Sequence, residues 1–449
     1  MLFNSFEFIL MFLPAVLLGS FFLKNKAKAL VSFLAFLSVI FYGIWIPKYI
    51  ALLLGSVAVN FNLAKKASGN KNALWLAVTL NALLLGFFKY AGFFTRIAND
   101  AGLDMPVFKI ALPLAISFFT FQQIAFVVDS YKGNVKPDSF INYLFFVSFF
   151  PQLIAGPIVN YKTIFPQIPK IKILDKELTI YGLQYFILGL FKKTVIADSL
   201  SSNAAQIYDG NEALTAVSSW IGTLSYTIQL YFDFSGYTDM AIGLALLFGI
   251  ALPINFDSPY KSKSIQEFWR RWHITLSAWF KEYVYIPLGG NKKGFSRTLL
   301  NIFLIALISG LWHGAGYGFI VWGTLHGIAL VAHRIWKENI GITLNPVIAF
   351  FVTFTFVHFS WIFFRAPSLE SASNVFTALF FGSSSVFGAL ELTKSLFILA
   401  LLVCCLVLPS SNVICRRVYP TWVSFVTGAI LFLSIGFMSR VKEFVYFQF

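Results

Sequence analysis

Long apolar runs constrain this chain more than anything else in it. Phe8–Leu23, Leu30–Ile46, Tyr49–Leu63 and Ala73–Phe88 come in quick succession, and each, with a little flank, reaches the ~20 residues that cross a bilayer. Later runs of the same kind are Leu299–Leu311, Ile320–Ala332, Val347–Phe364, Leu396–Leu408 and Val423–Phe437. Charged residues make up only 12% of the 449 positions, half the share of about 25% usual in soluble domains. The expectation is an all-α polytopic membrane protein of roughly eleven spanning helices, with re-entrant or interfacial pieces between them. A single integral-membrane domain is expected over 1–449, since no soluble linker, internal repeat or low-complexity tract divides the chain.

Basic clusters set the expected orientation. Lys24, Lys26 and Lys28, then Lys65, Lys66 and Lys71, alternate with ends that carry no charge or only Lys48 and Lys89. The positive-inside rule puts those clusters in the cytoplasm and the N-terminus outside. Met1 to Glu7 contains no Lys or Arg, and a secretory signal needs a basic n-region, so the first run is expected to be a retained anchor. With Arg416 and Arg417 inside, the last span returns the C-terminus outward. The net charge of +15 sits in short clusters of this kind. No basic stripe is interleaved with exposed aromatics, so nucleic acid is not an expected partner. Cys404, Cys405 and Cys415 cannot build a disulfide framework and read as small apolar side chains in a late helix.

The middle of the chain is less regular. Ile110–Val128 is interrupted by Pro113, Ser117, Thr120, Gln122 and Gln123, and Phe140–Val159 by Pro151, Gln152, Gly156 and Pro157. Either these are ordinary kinked helices, or they are irregular backbone lining a cavity, tolerated at membrane depth only where protein or water satisfies it. Ile180–Leu200 carries Lys192 and Lys193; lying partly in the interface, it would let both lysines snorkel to headgroups. Leu214–Tyr231 and Met240–Ile254 flank a polar knot from Tyr231 to Asp239 as spans or half-spans. Its carboxylates, Asp233 and Asp239, need partners or water. They read as helix caps, as salt-bridge partners of Arg270 and Arg271, or as the relay of a proton-coupled transporter. Asp257 to Arg297 is the densest polar stretch, and its mixture of arginines and aromatics suits an amphipathic segment at the cytoplasmic headgroup boundary.

The five histidines are His273, His313, His326, His333 and His358. None is spaced at i, i+3 or i+4 from another, so no single helix offers a metal pair. His313 ends an apolar run in Ser309-Gly310-Leu311-Trp312-His313-Gly314, and His326 closes the next in Trp322-Gly323-Thr324-Leu325-His326-Gly327. On one continuous helix they would point ~140° apart. Gly314, Gly316 and Gly318 weaken such a helix by ~1 kcal/mol each, so two helices joined by a Gly-rich turn are expected. An ionisable group at membrane depth is a functional candidate by default, and His313 is the leading one. His333, beside Arg334, and His358, in an aromatic run, read as structural. No nucleophile elbow, Walker loop or dinucleotide fingerprint occurs.

Several motifs in order resemble the membrane-bound O-acyltransferases, specifically their bacterial polysaccharide branch, over nearly the whole chain. They are Met1-Leu2-Phe3-Asn4-Ser5, Phe88-Lys89-Tyr90, Ile116-Ser117-Phe118, Leu153-Ile154-Ala155-Gly156-Pro157, Tyr231 to Ala241, Phe268 to Ser277, Leu288-Gly289-Gly290-Asn291 and Leu311-Trp312-His313-Gly314. Ala115 departs from the pattern, which has Gly in Leu-Pro-Leu-Gly-Ile-Ser, and puts close backbone packing there in doubt.

The resemblance implies a helical ring around a central tunnel, open to the cytoplasm for an acyl donor and to the other face for an acceptor. It implies catalytic roles for His313, His273 and His326, and substrate-binding positions at Tyr231, Asp233, Ser235, Trp269, Arg270, Arg271 and Trp312. No permanently bound cofactor or metal is implied. The donor would be acetyl-CoA or another acyl thioester. The acceptor would be a hydroxyl of a cell-envelope or secreted polysaccharide, reached with an extracytoplasmic partner acetyltransferase. The setting would be the bacterial cytoplasmic membrane, with membrane lipid around the chain. A thioester is already activated, so transfer needs a base to take the acceptor's proton, and a desolvated imidazole stays neutral and ready for it. The alternatives are D-alanyl transfer to teichoic acid from a carrier protein and, in another class, a proton-coupled transporter. A transporter often shows inverted repeats with paired broken helices, and no such pairing is evident.

Overall fold

A computed structural model describes residues 1–108, 110–210, 213–383, 388–416 and 421–438. Arg417, part of the expected topology signal, lies outside them. Among the described residues the regular structure is helical, with one isolated bridge between Thr215 and Ser383 and no strand. Among the described residues seven helices are long and apolar enough to cross a membrane: Ala27–Trp45, Tyr49–Ala67, Lys71–Asp100, Phe295–His313, Tyr317–Ile340, Pro346–Arg365 and Ala389–Val407. Two shorter apolar helices, Phe8–Leu23 and Val423–Phe437, join them. All nine coincide with apolar runs read from the sequence. The protein is a multi-pass membrane protein, helical throughout its described regular structure.

Contacts group the chain into two compact units. The first comprises Met1–Leu190, Tyr237–Ile254 and 415–438. Three of its helices are tied by side-chain amides where the hydrophobic effect has no grip. Asn60 Nδ2 donates to Gln123 Oε1 at 2.6 Å, Asn81 Nδ2 donates to Asn60 Oδ1 at 2.6 Å, and Ser56 Oγ donates to Gln123 Oε1 at 3.1 Å. Such interhelical bonds are worth up to ~1–2 kcal/mol each in lipid. The polar interruption at Gln123 is therefore glue.

The irregular stretches of this unit are broken and protein-enclosed. Helix Ile116–Tyr131 starts only after Ala115, whose backbone is left-handed at φ +60°. That conformation costs a Cβ-bearing residue roughly 1–2 kcal/mol, which gives the departure from Gly a physical meaning. Helix Phe140–Ser148 stops at Phe149, a short turn Phe150–Leu153 follows, and every residue from Phe149 to Val159 is buried. The backbone there is irregular and enclosed by protein, as the burial from Phe149 to Val159 reflects, while the expected cavity along it stays an expectation.

The second unit comprises Phe191–Gly236 and 255–414. Here the structure corrects three expectations. The polar knot does not split a span: helix Ala216–Leu247 runs through Tyr231 to Asp239 without a break. Lys192 and Lys193 do not snorkel, since both are buried in the π-helical stretch Lys192–Ala197. Asp233 is neither a cap nor a partner of Arg270 or Arg271. Lys193 Nζ lies 2.6 Å from Asp233 Oδ1 and 2.9 Å from Asp198 Oδ1, and Lys192 donates to Ser411 Oγ. A buried cation held by two carboxylates meets the need for pairing; the sequence could not name the partner.

Helices Phe295–His313 and Tyr317–Ile335 form a hairpin around a three-residue link, Gly314 to Gly316. They cross backbone to backbone. A Cβ on Gly323 would lie 2.9 Å from the Ala306 carbonyl oxygen and 3.1 Å from Gly310 Cα, so only glycine permits the approach.

Candidate active site

The site is built on the second unit, around a wall of tryptophans. Helix Ile265–Arg271 begins at Ser264, whose hydroxyl accepts the Glu267 N–H at 3.1 Å, while Glu267 reaches back to accept the Lys263 N–H at 2.8 Å. This Ser-x-x-Glu arrangement satisfies donors at the helix start, much as a capping box does. The helix ends at Trp272, and His273 turns the chain with a left-handed backbone, φ +43°, before helix Ile274–Phe280. His273 cannot cap that helix itself; Asn255 does so from a distance. Asn255 Oδ1 accepts the Thr275 N–H at 3.2 Å and the Thr275 hydroxyl at 2.9 Å.

That capping settles the chemistry of His273. Because Oδ1 accepts a backbone N–H, it is an oxygen and cannot donate, so the 3.1 Å contact with His273 Nδ1 needs the proton on Nδ1. The basic lone pair is then on Nε2. Burial pushes the imidazole from its ordinary value down to about 3, keeping it neutral. Its ring stands edge-on to Phe234 at 4.8 Å and lies 6.5 Å from the ring of His313.

His313 is the last residue of its helix, followed by extended backbone at Gly314. Trp312, Trp322 and Phe364 surround its ring at 5.0, 5.2 and 5.3 Å. Such edge-on pairs fix the orientation of a ring and add ~0.5–1.5 kcal/mol each. His313 keeps 3% of its surface exposed, whereas His273 and His326 keep none.

His326 is engaged at both nitrogens. Trp269 Nε1, which can only donate, gives its proton to Nδ1 at 3.2 Å. Nε2 therefore carries the proton and donates to Ser360 Oγ at 3.0 Å, and Ser360 donates to the Val357 carbonyl at 2.7 Å. The chain Trp269, His326, Ser360, Val357 is a run of hydrogen bonds with one direction.

Of the remaining sequence candidates, Tyr231, Asp233 and Ser235 are buried on helix Ala216–Leu247. Tyr231 packs at 5.4 Å against Tyr260. Arg271 is held by Glu267 at 3.0 Å and Asp257 at 3.7 Å; Arg270 is exposed. His358 meets Thr227 Oγ1 at 2.8 Å, a structural contact. Among the described residues, no three His, Cys, Asp or Glu side chains gather where an ion would sit. Sequence reasoning missed Asn255 and Ser360, and met Trp322 only as part of the His326 motif. Asn255 left one faint signal, a lone amide after Pro253-Ile254 and ahead of the arginine-tryptophan motif.

The second unit thus brings two buried imidazoles, His273 and His313, within 6.5 Å of each other behind an aromatic wall. The chain belongs to the membrane-bound O-acyltransferase family, whose sequence profile matches residues 72–369, and it is accordingly an acyltransferase. It is similar to the peptidoglycan O-acetyltransferase of Helicobacter pylori, with 45% identity over 415 residues covering 84% of this chain and 79% of that protein. It is also similar to the probable alginate O-acetylase AlgI of Pseudomonas aeruginosa, 38% identical over 396 residues, 85% of this chain and 75% of that protein. The teichoic acid D-alanyltransferase of Streptococcus thermophilus is 30% identical over 280 residues, 56% of this chain and 68% of that protein.

Proposed function

We propose that this protein O-acetylates a cell-envelope or secreted polysaccharide, with His313 as the general base. The donor is a cytoplasmic thioester, acetyl-CoA or a close relative. The acetyl group crosses the protein and meets an acceptor hydroxyl, or a partner acetyltransferase that passes it on, at the extracytoplasmic face. In this reading the chain lies in the cytoplasmic membrane with its N-terminus outside.

The observation that carries it is the placement of His313: the last residue of its helix, ringed by three aromatics and 6.5 Å from the ring of His273. His313 takes the hydroxyl proton as the oxygen attacks the thioester's carbonyl carbon, and the thiolate leaves. Positioned general bases give roughly 10²–10⁴-fold, enough for a donor that is already activated. His273, 6.5 Å away with its lone pair on Nε2, is close enough to steady the group that His313 deprotonates. His326, with both nitrogens committed, holds Trp269 and Trp322 in place and is a positioning residue.

Acetyl is favoured over D-alanyl because the acetyltransferase relatives match far more of the chain at higher identity. The transporter reading loses ground because Asp233 is locked to Lys193. The test is O-acetyl content of purified envelope polymers from cells carrying His313→Ala or His313→Gln at normal protein levels. Turnover should fall by roughly 10²–10⁴-fold; unchanged acetylation in both variants overturns the reading.

A further inference from the structure

A cavity of about 940 Å³ lies in the second unit, lined in part by Glu267, Arg270 and Arg271 of helix Ile265–Arg271. Its volume is at the upper end for a ligand site. Four basic side chains face two carboxylates in its lining. Both carboxylates, Glu267 and Asp257, are taken up by Arg271. Lys263, Arg270 and Lys337 remain, all exposed, so the lining is net positive.

The opposite wall is apolar and belongs to a spanning helix. Ala349, Val352 and Phe356 come from Pro346–Arg365, and Val352 is 58% exposed, as are its neighbours Ile348 and Phe351 at 55% and 59%. On a membrane span such a surface faces hydrocarbon, so the cavity opens sideways toward lipid. A water-soluble ligand gains nothing from that wall. Its level in the bilayer follows from the hairpin: Tyr317–Ile335 returns antiparallel to Phe295–His313, bringing Lys337 to the side of Lys292, Lys293 and Arg297. That basic side is cytoplasmic by the positive-inside rule, the leaflet rich in anionic lipid.

We propose that this cavity binds one anionic phospholipid of the cytoplasmic leaflet. Its phosphate sits between Lys263, Arg270 and Lys337, and one acyl chain lies along Val352 and Phe356. Basic pockets between membrane helices take such headgroups for this reason. Arg270 and Arg271 in this lining are also among the substrate-binding positions the resemblance implies, so the test below separates lipid from acyl donor.

The test uses the full chain in nanodiscs of phosphatidylcholine containing a minor fraction of phosphatidylglycerol, with native mass spectrometry counting retained lipids. Wild type should keep one phosphatidylglycerol in preference to phosphatidylcholine. Each basic residue near an anionic headgroup is worth about fivefold, so Lys263→Ala with Lys337→Ala should cut that preference about 25-fold, and arginine at both positions should restore it. Val352→Glu should lower retention through the chain-binding wall, an effect that a free-phosphate site would not show. Inorganic phosphate should fail to displace the lipid. An unaltered preference in the double alanine variant overturns the proposal. So does displacement of the lipid by coenzyme A thioester, which would make the cavity the donor's.

Discussion

Asn255 offers the sharpest test of how the site is held. One oxygen, Oδ1, accepts from the Thr275 N–H, the Thr275 hydroxyl and His273 Nδ1. Asn255→Leu keeps the approximate volume but removes all three. The hydroxyl can turn elsewhere, but two buried N–H groups cannot. Each orphaned donor costs ~1–3 kcal/mol, so a loss of ~2–6 kcal/mol is expected, read as a lower melting temperature in detergent. Activity should fall further than stability explains, because the His273 proton is no longer pinned to Nδ1.

Asn255→Asp separates the two effects. It keeps all three acceptor contacts, but its carboxylate raises the neighbouring imidazole's pKa. In wild type the folded His273 stays neutral to about pH 3, while an unfolded imidazole takes its proton near 6.5. Stability therefore falls as pH drops below about 6.5, by up to ~1.4 kcal/mol per unit, until the folded value is reached. In Asn255→Asp that slope should flatten and the acid limb of the activity profile should move upward. A leucine variant with wild-type melting and turnover, or an aspartate variant whose acid limb stays put, refutes the reasoning.

Other outcomes follow from contacts already described. Lys193→Met removes the cation shared by two buried carboxylates and should cost ~3–5 kcal/mol, whereas the triple change K193M/D198L/D233L should cost less than the single one; thermal melts of both decide it. Trp269→Phe removes the donor to His326 Nδ1 and should cost ~1–3 kcal/mol, with kcat falling more than KM rises if His326 only positions its neighbours. Gly323→Ala forces a methyl between two backbones and should destabilise by ~1–3 kcal/mol; a melting temperature equal to wild type would sink the close-crossing account.

What the sequence revealed depended on the range of the interaction. The nine apolar runs and the break after His313 are local: hydropathy and a cluster of glycines determine them, so they could be read directly. Lys193 could not be placed, because its partner Asp233 lies forty positions away on another helix. The polar knot looked like an interruption because Ser235, Gly236 and Asp239 disfavour an apolar span, yet tertiary packing buries them inside one unbroken helix. The histidine motifs were visible as motifs. The protonation state of His273 and the double commitment of His326 were not, since Asn255 carries only a faint local mark and Ser360 none.

The glycine crossing also limits what can move. With Gly310 and Gly323 in backbone contact and three aromatic rings about its imidazole, His313 is a fixed post, not a swinging arm. Whatever travels during turnover must be the cargo, brought from either side to a stationary point. Loosening that post would leave the chemistry intact on paper and the delivery misaligned in practice.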